Sequence, residues 1–427
     1  MIGIVADDTT GANDIGLMFS GNRYSVKVVT FHETMQLEKD ADVLIIDTDS
    51  RLDSPELSYD KVYKATKKLQ ELGCRMYYNK TCSVFRGNIG KELDAMLDAL
   101  GEDFAVITLA FPKNGRKTLY GLHTVHGKLL EHSEFANDPV HPMKQSNLVS
   151  ILQEQTERKV TLIDIDTVRQ GVETLRKAIE TVRGEYNYVI IDSESQSDLS
   201  IVAEAVRDFP VLCGSSAIGE ELPKFWPAKQ GENILDRVDV SDSNGVLIVS
   251  GSLTPQTRAQ TTYLIDAGYP AIVLDSRNVL AADRQEDEIA SVTGRAQALL
   301  AEGKDVLVMA DNREEVVAQT KVIGATLRMD PLTVSKAISA ALAEAAARLV
   351  NRTGLKRLVV AGGDTSGTVC RKLGIQGNYV LKEIETGLPS GLAIGRDMLI
   401  VLKSGSFGRT EFLDHAVRHL KELSQRL

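Results

Sequence analysis

Two adjacent carboxylates, Asp7 and Asp8, stand directly after a short apolar run at the start of the chain. The residues that follow them are small or carry hydroxyl groups, as is typical where a strand turns into a helix. Thr9 or Thr10 is predicted to cap that helix, and Gly11 allows a close approach to the backbone. A carboxylate in this turn could accept hydrogen bonds from hydroxyl groups or act as a general base toward one of them. The alternative is that both carboxylates only cap the helix and interact with its dipole.

A second group of polar side chains, Lys80, Thr81 and Ser83, follows another apolar run. A cation, two hydroxyl groups and backbone amides in one turn are suited to binding a carboxylate. Cys82 lies in the same turn, and because no base is paired with it in the sequence, a contact role is favoured over a nucleophilic one. Arg51 follows a further strand and could bind a carboxylate through two hydrogen bonds, although an ordinary surface arginine is the alternative.

A third turn, AFPKNGR at residues 110–116, combines proline, asparagine and glycine. Its last residue, Arg116, could face a ligand cleft together with His123. His141 lies between two prolines and is rigidly placed, as either a structural or a catalytic histidine.

Three glycine-rich turns in the C-terminal half follow apolar runs: VSGS at 249–252, GGDTSG at 362–367 and KSGSFG at 403–408. A strand that leads through such a turn into a helix surrounds an anion with backbone amides and the positive end of the helix dipole. Lys403 is the candidate cation for a phosphate, and a further turn at 385–391 could contact a nucleotide base or ribose. The motif GxxxxGK[ST] is absent. The motif GxGxxG is also absent, which disfavours a dehydrogenase. No cluster of potential ligands has metal-binding spacing, so Mg²⁺ is expected to arrive with a nucleotide.

These turns belong to a regular alternation of short apolar runs and amphipathic stretches, which predicts α/β domains with mainly parallel sheets flanked by helices. A polar segment without periodicity separates two such series. We therefore predict two domains at 1–228 and 245–427, a linker at 229–244 and a cleft between the domains. Predicted strands lie at 2–6, 26–30, 43–47, 75–79, 104–109, 160–165, 188–192, 211–213, 246–250, 271–274, 306–310, 358–361, 379–383 and 398–402. Predicted helices include 58–72, 168–183, 255–267, 286–302, 333–351, 365–372 and 410–423.

Composition narrows the class of protein. With 427 residues, the chain exceeds what one hydrophobic core usually supports, and a net charge of −10 argues against a nucleic-acid-binding protein. Four scattered cysteines indicate a reducing compartment without a structural zinc site. Because neither a signal peptide nor a long apolar segment is seen, a cytoplasmic protein without a membrane partner is expected. Association into a homo-oligomer is compatible with these features.

The motifs together resemble the four-carbon acid sugar kinase family. They are ADDTTGAND, KTCSVF followed by GNIG, AFPKNGR, DPVHPM, VSGSLTPQT, GGDTSG and KSGSFG, in this order along nearly the whole chain. The resemblance implies an N-terminal sugar-acid-binding domain and a C-terminal nucleotide-binding domain. It further implies an ATP-dependent kinase that phosphorylates the terminal hydroxyl of D-threonate, D-erythronate or 3-oxo-tetronate.

Site residues follow from the same resemblance. Asp8, Arg51, Lys80, Thr81, Cys82 and Ser83 are expected to contact the sugar acid, with Asp7 beside them. Ser252, Gly362, Gly363, Asp364, Thr365 and Gly405 are likewise expected to contact ATP. Lys403, the candidate cation named above, is expected to join them, with Mg²⁺ bound to the nucleotide.

Within the family, GAND and AFPKNGR favour D-threonate as the acceptor, with D-erythronate or 3-oxo-tetronate as alternatives. Two positions depart from the family pattern: Arg86–Gly87–Asn88 after KTCSVF, and Asp364 where Glu is usual. Asp8 is the predicted catalytic base, and Asp7 and Asp364 are its rivals. An NAD(P)-dependent sugar-acid dehydrogenase and a non-catalytic sugar-acid sensor are the alternatives from other classes.

Overall fold

The computed structural model describes residues 1–138, 141–227, 235, 238–403, 405 and 407–425. Two compact units, Met1–Glu232 and Asn233–Leu427, make up the chain, and each is described by itself. The predicted α/β class with two domains built on mainly parallel sheets is confirmed. Of the predicted linker, residues 229–234 and 236–237 lie outside the described residues, and the exact domain limits stay a prediction.

Strands of the N-terminal unit are short, apolar and rich in β-branched residues. Eight of those described form one parallel sheet in the order β2-β3-β1-β4-β11-β5-β10-β9. Every residue of β1 and β3 is buried, as expected for a sheet covered on both faces. The strands are β1 (Ile2–Ala6), β2 (Val26–Thr30), β3 (Val43–Asp47), β4 (Met76–Lys80), β5 (Ala105–Thr108), β6 (Arg116–Leu119), β7 (Leu122–Val125), β8 (Lys128–Leu129), β9 (Val160–Ile163), β10 (Tyr188–Ile191) and β11 (Val211–Gly214).

The three strands β6, β7 and β8 form a separate antiparallel sheet, which the sequence analysis did not predict. Their residues are mostly polar and only partly buried, so they lack the apolar signature of the main strands. A short 3-10 helix, Pro112–Asn114, precedes β6 and places Arg116 at the start of that strand.

Helices of the N-terminal unit mostly begin at a polar capping residue, for example Ser54, Asp164 and Ser195. The predicted helix at 168–183 is split at Gly171 into two helices. The helices are α1 (Thr9–Ser20), α2 (Pro55–Glu71), α3 (Ile89–Leu100), α4 (Leu148–Gln153), α5 (Ile165–Val168), α6 (Val172–Val182), α7 (Gln196–Val206) and α8 (Ile218–Glu221); the short segments Leu130–His132, Glu134–Asn137 and Leu222–Phe225 are 3-10 helices.

The C-terminal unit contains a second sheet, whose described strands run in the order β13-β14-β12-β15-β18-β17-β16. Neighbours from β13 to β18 are parallel, whereas β17 is antiparallel to both β16 and β18. The strands are β12 (Leu247–Ser250), β13 (Ala271–Leu274), β14 (Val306–Ala310), β15 (Arg357–Ala361), β16 (Gly377–Glu385), β17 (Leu388–Ile394) and β18 (Leu399–Lys403).

The antiparallel hairpin formed by β16 and β17 corrects one prediction. The sequence predicts that residues 385–391 form a turn against a nucleotide. Thr386 and Gly387 do form a turn, but it joins β16 to β17, and residues 388–391 belong to β17. They do not line the cavity described below. Pro389, Ser390 and Gly391 suggested that the turn extends further, but pairing on both sides of β17 overrides that local preference.

Two apolar cores lie on the two faces of the C-terminal sheet. The alanine-rich helix α13 packs into one of them through buried alanines, so it is an ordinary packed helix. No helix within the described residues is long and apolar enough to cross a membrane. The helices are α9 (Pro255–Asp266), α10 (Ser276–Val279), α11 (Gln285–Ala301), α12 (Glu314–Thr326), α13 (Pro331–Thr353), α14 (Gly363–Leu373) and α15 (Phe412–Gln425).

Each sheet has a point at which the strand order reverses. In the N-terminal unit, β1 lies between β3 and β4, and the chain completes β2 and β3 before it crosses to β4. In the C-terminal unit, β12 lies between β14 and β15 in the same way. Ligands of doubly wound domains bind at the carboxyl ends of the strands around such a reversal. Both groups of candidate residues follow these strands.

Candidate functional site

Arg51 binds both carboxylates of the first turn. Its Nε and Nη2 atoms donate to the two oxygens of Asp7 at 2.8 Å each, and its Nη1 donates to Asp8 Oδ2 at 2.5 Å. Asp7 is buried, so this bidentate pair neutralises a carboxylate that has left water. The guanidinium predicted to bind the carboxylate of the ligand is therefore held by the protein itself. His141 fixes the backbone of Arg51, because its Nε2 donates a hydrogen bond to the Arg51 carbonyl at 2.8 Å.

Asp8 is the N-cap of α1, which corrects the prediction that Thr9 or Thr10 takes this position. Its Oδ1 accepts from the Gly11 backbone amide at 2.7 Å. Burial acts to raise the pKa of Asp8, but the charges of Arg51 and Lys80 and the hydrogen bonds outweigh it and lower that pKa below its ordinary value. Asp8 is only half-buried, so an ionised carboxylate faces the turn with acceptor capacity left over.

Lys80 ends β4 next to this carboxylate. Its Nζ donates to the Thr81 carbonyl at 2.9 Å. A β-carbon added to Gly11 would lie 2.9 Å from that Nζ and 2.7 Å from Asp8 Oδ1, so the turn of α1 and the end of β4 are packed as closely as a glycine permits. Lys80 and Thr81 are both buried, whereas Ser83 is partly exposed. Lys80 and Asp8 are thus brought together, as expected for two residues predicted to contact the same ligand.

Cys82 lies between two guanidinium groups. Arg86 Nε donates to its Sγ at 3.4 Å, while Arg86 Nη1 binds Asp138 at 2.6 Å. Burial acts to raise the pKa of the Cys82 thiol, but the charges of Arg51 and Arg86 outweigh it and lower that pKa. Arg86 was noted in the sequence only as a departure from the family pattern, and its place beside Cys82 required the structure.

His123 is not available to a ligand. It is fully buried, and burial lowers its pKa to about 3, so the ring is neutral. Nε2 lies 3.1 Å from the Ser83 carbonyl, which can only accept, so the proton is on Nε2 and Nδ1 accepts from Thr118 Oγ1 at 3.0 Å. The predicted pairing of His123 with Arg116 at a cleft is replaced by a structural role behind the turn that carries Ser83.

Asp47 is a further carboxylate that the sequence analysis did not select. It ends β3 and accepts from Thr9 Oγ1 at 2.5 Å. Burial raises its pKa to about 7, and the charges of Asp8 and Asp49 add to this effect. Its position at the end of a strand beside β1 was visible in the sequence, but its burial was not.

Replacing Asp47 by asparagine is expected to flatten the pH dependence of stability. Because its pKa in the folded state, about 7, lies above the ordinary 3.8, the folded protein holds this proton more tightly than the unfolded chain does. The wild-type free energy of unfolding therefore decreases from about pH 4 to above pH 7 through this group. Urea unfolding at pH 5.5 and 8.5 should show the variant gaining stability relative to wild type at the higher pH. Asp103→Asn is the control, because Asp103 is exposed and is not among the groups that act on the pKa of Asp47. An unchanged slope in the Asp47 variant would contradict the assignment.

The C-terminal unit contains a cavity of about 550 Å³. One wall is built by the turns after β12, β15 and β18, which contribute Gly251, Ser252, Thr254, Gly362, Gly363, Asp364, Thr365 and Gly405. Three turns that are far apart in the sequence thus meet at one place. Of the predicted phosphate-binding residues, Ser404 and Ser406 of the third turn lie outside the described residues.

The turns are fastened to one another. The Gly405 carbonyl accepts from Thr254 Oγ1 at 2.6 Å and from Thr257 Oγ1 at 2.8 Å. Lys403 Nζ donates to the same carbonyl at 3.1 Å and to Thr257 Oγ1 at 2.8 Å. Lys403 is buried, its pKa is lowered to about 8 by that burial, and it does not line the cavity. Its contact in the structure is with the turn, and its contact with a phosphate stays a prediction.

The opposite wall is apolar and comes from α12, α13 and the segment between them. It contains Val317, Ala325, Met329, Val334 and Ile338. A cavity with amides and hydroxyls on one wall and aliphatic side chains on the other matches a nucleotide, whose phosphates are anionic and whose base is flat and largely apolar. No signal in the sequence marks this wall, because aliphatic residues of a helix follow the same pattern whether they face a core or a ligand.

Two family descriptions match the chain. Residues 2–222 match a sugar-binding N-terminal domain, and residues 247–413 match a nucleotide-binding C-terminal domain. A protein named 3-oxo-tetronate kinase from Pseudomonas savastanoi pv. phaseolicola is 34% identical over 98% of this chain and 97% of its own length. Another of that name from Actinobacillus succinogenes is 31% identical over 97% of this chain and 99% of its own length.

A solved structure shares the whole fold. It is a Salmonella typhimurium LT2 protein, provisionally described as a tRNA synthase, with a TM-score of 0.87 and 29% identity over 98% of this chain and 99% of its own. The family descriptions cover both units, and the relatives extend over nearly the full length. The chain belongs to the four-carbon acid sugar kinase family.

Proposed function

We propose that this kinase transfers the γ-phosphate of ATP to the terminal hydroxyl of a four-carbon sugar acid, and that the acceptor is 3-oxo-tetronate. The observation that carries the proposal is the cavity of the C-terminal unit, where three glycine turns at strand ends face an apolar wall. Relatives named 3-oxo-tetronate kinase, which match the chain over nearly its full length, support the choice of acceptor.

The acceptor differs from the D-threonate favoured in the sequence analysis. The two molecules differ at C3, where D-threonate has a hydroxyl group and 3-oxo-tetronate has a carbonyl. A carbonyl can only accept hydrogen bonds, whereas a hydroxyl also donates. The side chains of Lys80, Arg86 and Arg116 can donate hydrogen bonds but cannot accept them. Arg86 lies near Cys82, Lys80 lies near Asp14, and Arg116 lies near both. A site rich in such donors suits an acceptor with a carboxylate and a carbonyl.

The residues divide the work between the two units. Asp8, with Lys80, Thr81, Cys82 and Ser83, is assigned to the sugar acid; Asp7 and Arg51 hold Asp8 in place. Ser252, Gly362, Gly363, Asp364, Thr365 and Gly405 are assigned to ATP, and Lys403 holds the turn that contains Gly405. Phosphoryl transfer depends mainly on positioning and on neutralising charge, so one carboxylate is sufficient to orient and deprotonate the hydroxyl.

The carboxylates differ in how well they suit this step. Asp8 is ionised and half-buried, and its two oxygens each accept one hydrogen bond from the protein, which leaves lone pairs for a hydroxyl. Asp7 is buried with both oxygens bound to Arg51. Asp364 is exposed and lines the cavity assigned to the nucleotide. Asp8 is therefore the proposed base.

Mg²⁺ fits this arrangement as a companion of ATP. Within the described residues, no group of three or more His, Cys, Asp or Glu side chains could hold a metal ion. The donor set therefore leaves the ion to the phosphates and water. Two carboxylates line the cavity, Asp364 and Asp311, and Asp311 is already paired with Arg313. When bound, Mg²⁺ supplies positive charge to the transferring group, and the turns supply amides.

An ADP-release assay across four-carbon acids tests the function. Freshly prepared 3-oxo-tetronate is expected to give a higher kcat/KM than D-threonate or D-erythronate, and ³¹P and ¹³C NMR should place the phosphate on C4. A higher kcat/KM for D-threonate would reject the proposed acceptor. Absence of ADP release with all of the acids would reject the kinase, and reduction of NAD(P) would favour the dehydrogenase.

Replacing Gly251 by alanine is expected to impair nucleotide binding. The added β-carbon would lie 2.3 Å from Thr365 Oγ1 and 3.0 Å from Leu342 Cδ1, so the turn after β12 and the start of α14 must move apart. We expect ADP affinity, measured by calorimetry, to fall by about tenfold or more, with a loss of about 1–3 kcal/mol in stability. Gly294→Ala in α11 is the matched control because nothing lies within 4 Å of its added carbon. Unchanged ADP affinity in Gly251→Ala would contradict the packing argument.

A further inference from the structure

Arg116 is a cation without a counterion. Among the described residues, its guanidinium makes neither a hydrogen bond nor an ion pair, and its Nε is buried without any partner. A guanidinium carries five donors and cannot lose its proton in a protein. Arg116 as a whole is partly exposed, but burying its Nε donor without an acceptor is costly. The charge has no paired carboxylate either, so its surroundings favour an anion.

The backbone places this side chain firmly. Arg116 is the first residue of β6, and its amide and carbonyl both bond with Phe111, at 3.1 and 2.8 Å. Its strand β6 pairs with β7, whose His123 donates to the carbonyl of Ser83 at 3.1 Å. Burial lowers the pKa of Arg116, while the charges of Cys82 and Asp14 act to raise it. Arg116 therefore belongs to the group of side chains around Cys82 and Lys80 that is assigned to the sugar acid.

The other cations of this group have partners. Arg51 is bound to Asp7 and Asp8, and Arg86 to Asp138 and Cys82. Lys80 donates to the Thr81 carbonyl. Arg116 is the cation of this group whose guanidinium is left free by the described residues, and the planar fork of a guanidinium matches a carboxylate.

We propose that Arg116 binds the C1 carboxylate of the acceptor and selects sugar acids over neutral sugars. This inference rests on the proposed function, because it takes a sugar acid as the ligand of the N-terminal unit. A carboxylate at Arg116 would accept the hydrogen bonds for which the described residues offer no acceptor. A neutral CH₂OH group at the same place would leave the positive charge of the guanidinium uncompensated. Arg51 then forms ion pairs with Asp7 and Asp8 and does not contact the acceptor.

Erythrulose offers a matched probe, since it equals 3-oxo-tetronate with the carboxylate replaced by CH₂OH. In Arg116→Gln, kcat/KM for 3-oxo-tetronate is expected to fall by about 100-fold or more, and kcat/KM for erythrulose by less than about threefold. Arg116→Lys keeps the charge but loses the planar fork. Its kcat/KM for 3-oxo-tetronate should therefore lie between the values for wild type and for Arg116→Gln. Dissociation constants of the same molecules, measured by calorimetry, give the comparison independently of turnover.

Lys117→Gln is the control, because it removes one positive charge from the neighbouring position of β6. Lys117 pairs with Glu194 at 3.3 Å and points to the opposite side of the strand from Arg116. Its variant should retain wild-type kinetics. Equal losses for the acid and for erythrulose in Arg116→Gln would show a general structural role, and no loss for the acid would place the carboxylate elsewhere; either result overturns the inference. If wild type binds the acids but transfers no phosphate, the kinase proposal fails, while the calorimetric comparison still tests Arg116.

Discussion

The Asp8→Asn variant is expected to lose about 100- to 10,000-fold in kcat with the true acceptor, because an amide cannot take the proton of the attacking hydroxyl. Asparagine caps a helix about as well as aspartate, so α1 should remain intact. Arg51 keeps its two hydrogen bonds to Asp7 in this variant. The KM for ATP should therefore change little. The measurement is a steady-state ADP-release assay with both substrates varied, together with thermal unfolding.

Asp49→Asn is the control for Asp8. It removes one negative charge from the same neighbourhood, and asparagine tolerates the φ of 47° found there. Wild-type kcat in Asp49→Asn beside a large loss in Asp8→Asn would support the base. If Asp8→Asn retains near wild-type turnover, the base lies elsewhere, and Asp364→Asn then becomes the decisive variant.

Replacing Arg51 by methionine is expected to give the largest loss of stability. Methionine keeps much of the apolar stem, but it leaves Asp7 buried without the cation that neutralises it. Breaking a buried pair by removing one partner costs about 3–5 kcal/mol. Urea unfolding at pH 7.5 should show this loss as a lower midpoint with an unchanged slope.

The double variant Asp7→Asn with Arg51→Met separates charge from packing. Because the double variant has no buried carboxylate at position 7, it should recover a large part of the lost stability. A double variant as unstable as Arg51→Met alone would mean that the arginine acts through its packing, and a single variant within about 1 kcal/mol of wild type would contradict the burial cost.

Strands of the parallel sheets could be predicted closely because burial on both faces demands uninterrupted apolar runs. The predicted bounds 2–6 and 43–47 agree with β1 and β3. The same reasoning failed for strands that form because of their partners in the sheet and not because of an apolar composition. β17 contains Pro389 and Gly391, and β6 to β8 are mostly polar, so only their partners in the sheet reveal them.

Placement of the site residues was predictable from strand ends, but their partners were not. Asp8 follows β1 and Lys80 ends β4; both positions at strand ends could be predicted, whereas the pairing of β1 with β4 came from the structure. The ion pairs of Arg51, 43 and 44 positions from the two carboxylates, depend on side-chain directions that no local pattern encodes. That Arg116 Nε has no hydrogen-bond partner depends on the positions of all its neighbours, so this too could be seen only in the structure.

The cavity assigned to the nucleotide draws every lining residue from the C-terminal unit, and the carboxylates and cations assigned to the acid all come from the N-terminal one. Donor and acceptor recognition are therefore encoded in separate halves of the polypeptide. Such separation lets evolution alter one specificity without disturbing the other. Divergence of acceptor preference among members of this family is then expected to arise from exchanges confined to the first half of the sequence, while the second half continues to bind the same phosphate donor.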